Sequence, residues 1–213
     1  MSSRPPAGSG WPSRQKKVGE ALRQDTRDRL LHAAGEEFAV HGYAGTTVTR
    51  LAAAAGVSVQ TLYLAWGSKR ALLRGYLEDA LSGGIGSPED AARRFAGLAP
   101  RERLAELAAL VAEIAERAAT GWSLYRDAAA VDPEIAADWN ELQLLRHRLI
   151  ARVLGDIPVR ALTEGLTMRS AADTAWVIAS PESYDLLVRR RGYQLGEFRD
   201  WMNQNLVAAI LAP

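Results

Sequence analysis

Residues 46–73 read TTVTRLAAAAGVSVQTLYLAWGSKRALL, and three short periodic runs in this stretch dictate the architecture. Val48, Leu51, Ala52 and Ala55 recur at i, i+3, i+4 and i+7, the spacing of one helix face, with Thr47 placed to cap its start. Gly56 ends that helix, and a glycine there supplies the positive φ that a tight turn between two helices requires. Ser58 opens a third helix carrying Leu62 and Trp66 on one side, and Ser68 caps a fourth containing Leu72, Leu73, Tyr76, Leu77 and Leu81. Small residues at Ala52, Ala55 and Gly56 let two short helices cross closely, so the stretch predicts a helix-turn-helix over Thr47 to Trp66.

Upstream, Leu30, Ala34 and Phe38 repeat every four residues between charged positions, which predicts a first amphipathic helix that Gly42 stops after His41. Residues 1–22 hold Pro5, Pro6, Gly8, Gly10 and Pro12 among serines and basic residues and are expected to form a flexible basic arm. Downstream, Gly83, Gly84, Gly86 and Pro88 mark a break. Helical spacing then returns in Leu104, Leu107, Ala108, Val111 and Ala115, and in Ile135, Trp139, Leu142, Leu149 and Val153 after Asp132-Pro133. Further helices are expected over residues 169–179, after Pro181 and over residues 195–211, and no run alternates with period two long enough for a strand. The expected fold is all-α with about nine or ten helices. Its expected division is an arm (1–22), a helix-turn-helix domain with its connecting helix (23–82) and a larger helical domain (83–213).

The 213-residue chain has a formal net charge of only +1, but the charge is divided. Residues 1–80 carry 11 Lys or Arg against 7 Asp or Glu, whereas the remainder carries 15 against 18. A basic front end suits a polyanionic partner. The absence of cysteine excludes disulfides, thiolate metal sites and cysteine nucleophiles. Met1 to Lys17 lacks the uninterrupted apolar core of a secretory signal and charges break the longest apolar stretches, so neither a leader nor a membrane span is expected, and a cytoplasmic location is.

The third helix leaves Val59, Gln60, Thr61, Tyr63 and Leu64 at or near its exposed end, which suits the major groove of double-stranded DNA. Gln60 can hydrogen-bond base edges, while Val59 and Leu64 can touch thymine methyls. Thr47, Tyr63 and Lys69 suit phosphate oxygens, and the amides at the starts of the second and third helices add anion donors. The expected DNA-contacting set is therefore Thr47, Thr49, Arg50, Ser58, Val59, Gln60, Thr61, Tyr63, Leu64 and Lys69. Trp66 is expected to face the core.

From Leu30 to Tyr76 the sequence resembles the TetR family of one-component regulators. The resemblance lies in Phe38 before His41-Gly42-Tyr43, Thr46-Thr47-Val48, Leu51-Ala52, Ala55-Gly56-Val57-Ser58, Thr61-Leu62-Tyr63, Ser68-Lys69 and Leu72-Leu73. Two positions depart from the family's commonest pattern. Trp66 stands where phenylalanine is usual, and Ala65 where a larger or polar residue often reaches the DNA backbone, a contact that Arg50, Arg70 or the basic arm would have to replace.

One recognition helix spans few base pairs, so such a module is expected to act as a two-fold homodimer on a palindromic operator. The resemblance implies a four-helix bundle built from the last two major helices and their copies, with Trp176, Tyr184, Leu187, Phe198, Trp201, Met202 and Leu206 available for the interface. Trp122, Tyr125, Arg126, Trp139, Leu142, Arg146 and Leu149 suit a pocket for an apolar small molecule with an anionic or polar handle, and equally suit an ordinary helix core. The resemblance implies the pocket, and with it a repressor released by a small-molecule effector. A DNA-binding regulator with no small-molecule effector, constitutive or governed by a protein partner, fits the residues as well.

An enzyme does not fit. His32, His41 and His147 lack paired metal-ligand spacing, so no metal and no cofactor is expected. Ser123 lies in Gly-Trp-Ser-Leu-Tyr rather than a nucleophile elbow, and Gly83-Gly84-Ile85-Gly86 follows a helix rather than a strand.

Overall fold

Caps and breakers set the helix limits. The computed structural model describes residues 14–85 and 88–213, and over these residues the chain folds into ten α-helices with no strand. Helix α1 (Arg14–Gly45) carries a non-helical residue at Gly42, φ 65°, where the sequence places the stop. Then follow α2 (Val48–Ala54), α3 (Val59–Trp66), α4 (Lys69–Ile85), α5 (Pro88–Phe95), α6 (Pro100–Ala129) and α7 (Pro133–Leu154). A 3₁₀ turn (Val159–Ala161) leads to α8 (Met168–Ile178) and α9 (Pro181–Tyr184), which continues as a π-helical turn (Asp185–Arg190) before α10 (Leu195–Ile210). Asp132 caps α7 by accepting from the amides of Glu134 and Ile135, with Pro133 at the first helical position.

The flexible arm expected over residues 1–22 is corrected in part. Residues 14–22 form the first turns of α1, because this segment contains no proline and strings together good helix formers. Residues 1–13 lie outside the described residues.

Two cores organise the chain. One joins Leu104, Leu107 and Ala108 of α6 to Ile150 and Leu154 of α7 and to Phe198, Met202 and Leu206 of α10. The other joins Leu30 and Phe38 of α1, Leu51 of α2, Leu62 of α3 and Leu72, Leu73 and Leu77 of α4 to Trp122 and Tyr125 of α6 and Ile135 of α7. Packing therefore crosses the division expected at residue 82: the end of α6 and the start of α7 complete the core beneath the helix-turn-helix.

Candidate nucleic-acid interface

Local hydrogen bonds build the helix-turn-helix as its sequence directs. The Thr47 hydroxyl oxygen accepts from the Arg50 amide at 3.2 Å, and that of Ser58 accepts from the Thr61 amide at 3.0 Å, so both short helices begin on a side-chain cap. Gly56 takes φ 64°, and the Val57 amide donates to the Ala52 carbonyl at 2.9 Å, closing the turn. Leu51, Ala52 and Leu62 are buried. With Leu62 turned inward, Gln60, Tyr63 and Leu64 are left exposed, while Val59 and Thr61 are half-buried. Leu64 is 81% exposed, an apolar side chain with almost no cover from its own chain.

Thr47 and Thr49 are both exposed, and Thr47 at the cap keeps its own hydroxyl hydrogen to donate, since the cap uses that oxygen only as an acceptor. Arg50 is exposed but engaged within the chain, its Nε donating to the Glu37 carboxylate. Lys69 is engaged more fully. Its ammonium donates to the carbonyls of Tyr43 at 2.8 Å and Thr46 at 2.9 Å and sits 4.0 Å from the centre of the Tyr43 ring. Burial pulls its pKa below the usual lysine range. Of its three donors one remains, so Lys69 first of all clamps α4 to the turn before α2.

A residue that the sequence does not single out fixes the far end of α3. Arg27 Nη1 donates to the Ala65 carbonyl at 2.6 Å, and its guanidinium lies 3.9 Å from the centre of the Trp66 ring. A cation at a helix C-terminus meets the free carbonyls and the negative end of the helix dipole. Nothing in local spacing marks Arg27, whose partner is 38 positions away.

The residues expected to form a pocket are dispersed. Trp122 and Trp139 meet edge to face at 5.4 Å, and Tyr125 stacks on Trp139 at 6.4 Å, all packed into the core under the helix-turn-helix. Arg126 pairs with Asp185 at 3.3 Å, and Leu142 packs at the margin of the same core. Arg146 instead donates to the carbonyls of Trp176 at 2.9 Å and Ala179 at 3.1 Å, and burial lowers its pKa to about 10. Leu149 is exposed.

The expected dimer set is corrected at three positions. Phe198, Met202 and Leu206 are fully buried within the single chain, because the apolar stripe of α10 packs on α6 and α8. They offer no surface to a partner. Trp176, Tyr184, Leu187 and Trp201 are half-buried at the margin of that core, and Val177 beside Trp176 is 60% exposed.

The histidines make local pairs on α1 and one longer one: His32 with Glu36, His41 with Glu37 and His147 with Asp173. Among the described residues no group of His, Asp and Glu is arranged to hold a metal ion. No helix among them is long and apolar enough to cross a membrane.

Two capped short helices, a glycine turn and an outward Gln60–Leu64 face make a helix-turn-helix of the kind that docks on DNA. Residues 30–76 match the family model described as bacterial regulatory proteins, tetR family, and the chain carries the fold of TetR-family regulators. Among solved structures it is similar to NalD of Pseudomonas aeruginosa, the secondary repressor of the MexAB-OprM multidrug efflux pump. That likeness has a TM-score of 0.70 at 18% identity, covering 89% of this chain and 98% of NalD. FadR of Bacillus subtilis, solved with stearoyl-CoA, gives a TM-score of 0.64 at 21% identity and coverages of 85% and 98%. A TetR transcriptional regulator of Chloroflexus aurantiacus gives 0.63 at 19%, with coverages of 90% and 100%. No curated protein matches the chain.

Proposed function

We propose that the protein is a cytoplasmic, homodimeric repressor that binds a palindromic operator through α3 and is released by a small-molecule effector. The observation that carries the DNA-reading part is the disposition of α3. Ser58 caps it and Leu62 anchors it, so Gln60 and Leu64, one helical turn apart, point away from the protein together. In a major groove Gln60 would pair with a base edge and Leu64 would cover a thymine methyl. Thr47, Thr49, Ser58, Tyr63 and the remaining Lys69 donor would hold phosphates. Two such helices must enter successive grooves about 34 Å apart, which requires a second copy. The exposed Val177 and the half-buried Trp176 and Trp201 offer apolar surface for that copy.

The effector is proposed to be apolar with an anionic head. FadR, which shares the fold, was solved with stearoyl-CoA. In this chain Arg146 places a half-buried cation one helical turn from Leu142, bonded to carbonyl oxygens, and among the described residues no carboxylate lies within ion-pair distance of it. Release of DNA requires that the effector bind more tightly to a conformer whose recognition helices are wrongly spaced.

Two experiments test this reading. Selection from a random duplex pool should enrich a palindrome, and failure to enrich any sequence contradicts DNA reading. A thermal-shift screen with hydrophobic, cationic and acyl-CoA compounds should raise the melting temperature for at least one class. No shift across all three contradicts the effector and favours a regulator that is constitutive or governed by a protein partner.

A further inference from the structure

Lys69 and Arg70, the first two residues of α4, make their contacts in opposite directions. Lys69 grips the turn that leads into Thr47 through the carbonyls of Tyr43 and Thr46. Arg70 reaches 68 positions along the chain to α7, where Nε donates to Asp138 Oδ2 at 2.7 Å and Nη2 to Oδ1 at 2.6 Å. Its third nitrogen, Nη1, donates to Glu134 at 2.6 Å. The Asp138 side chain is 8% exposed and also accepts from the hydroxyl of fully buried Tyr125 at 3.0 Å. A second α4 cation, Arg74, lies 4.0 Å from Asp138 Oδ1.

A carboxylate this buried is tolerable only while its charge is matched. Both matching cations come from α4, and the bidentate fork fixes orientation as well as distance. If α4 slides or tilts against α7, Asp138 is left charged, buried and unpaired. The adjoining Trp139 stacks on Tyr125, so the carboxylate itself sits on a rigid aromatic base.

We propose that Asp138 is a positioning residue for operator binding: acting through Arg70 and Lys69, it sets where the helix-turn-helix sits relative to α6 and α7. This rests on the DNA-binding reading above. The chain of contacts is short and unbroken, from Asp138 to Arg70, to its neighbour Lys69, to the carbonyl of Thr46 and so to Thr47, the cap of α2. Asp138 touches none of the residues assigned to DNA, so its influence can only be transmitted.

The test titrates a labelled duplex, chosen by selection with the unaltered chain, against Asp138→Asn, Arg70→Gln and the double variant. Circular dichroism establishes in each case that the protein is folded under assay conditions. Each single variant is expected to weaken binding about fivefold or more, and the double variant no further than the weaker single, because both interrupt one linkage. Arg94 on α5 makes a comparable pair with Glu106 and Glu113 on α6, outside the helix-turn-helix. Arg94→Gln should lower stability yet keep operator affinity within about twofold. Should Asp138→Asn not fold, Tyr125→Phe removes one hydrogen bond from the same carboxylate and is expected to show a smaller loss in the same direction. Unchanged affinity in a folded Asp138→Asn or in Tyr125→Phe overturns the proposal, as do losses that multiply in the double variant. If the unaltered chain selects no duplex, the DNA-binding reading fails instead.

Discussion

The indole of Trp66 occupies the space that a side chain at Gly75 would need: a Cβ at position 75 would lie 2.2 Å from Trp66 Cζ3. Helices α3 and α4 therefore meet through a large residue on one and the absence of a side chain on the other. Gly75→Ala should destabilise the chain by roughly 1–3 kcal/mol through overpacking, and Trp66→Phe in the same chain should recover part of that loss. Urea denaturation of the two variants decides the matter. Equal destabilisation with and without Trp66→Phe would contradict the packing.

Lys69→Ala should weaken binding to every duplex alike and also lower the melting temperature. Two carbonyls lose their donor, and leaving buried acceptors unsatisfied costs on the order of 1–3 kcal/mol. A lysine that only touched phosphate would change affinity and its salt slope but not the melting temperature. Parallel calorimetry and binding isotherms at several salt concentrations separate the two.

Met202→Ala should cost about 2–5 kcal/mol, the range for a fully buried methionine cut back to a methyl, without changing the mass of the assembly. Val177→Asp should do the reverse, leaving the fold intact while favouring monomer. Sedimentation and chemical denaturation together check both. A monomeric, fully stable Met202→Ala protein would contradict the assignment of α10's apolar stripe to its own core.

The Arg70 hydrogen bonds, ahead of burial and helped by Tyr125, hold the Asp138 carboxyl below the usual carboxylate range. A folded pKa below the unfolded one means that the contribution is complete above the unfolded value and lost as pH falls through the folded one. Stability should therefore decline from about pH 5 downward, and more shallowly in Asp138→Asn. Glu113, lowered by Arg94, adds the same trend to both proteins. Urea midpoints measured across that range give the comparison, and parallel curves would contradict the role given to Asp138.

What the sequence made legible was local. Thr47, Ser58 and Asp132-Pro133 announce helix starts because each bonds within three residues of itself, and Gly56 announces a turn because its backbone needs positive φ. Contacts over long separations left no trace in spacing: Arg27 on the Ala65 carbonyl, Trp66 over Gly75, Arg70 on Asp138. Periodicity also says that a face is buried without saying against what. For that reason Phe198, Met202 and Leu206 suit an interface in sequence and lie in the chain's own core in space. The same ambiguity made Trp122, Tyr125 and Trp139 suit a pocket, although they support the helix-turn-helix.

Base reading by α3 is decided by comparing the sequences that the unaltered chain and Gln60→Ala select from a random duplex pool. Both should yield a palindrome, with Gln60→Ala losing preference at one equivalent position in each half-site and retaining it elsewhere. An asymmetric or absent motif for the unaltered chain, or identical motifs for the two proteins, would contradict the assignment of base reading to α3.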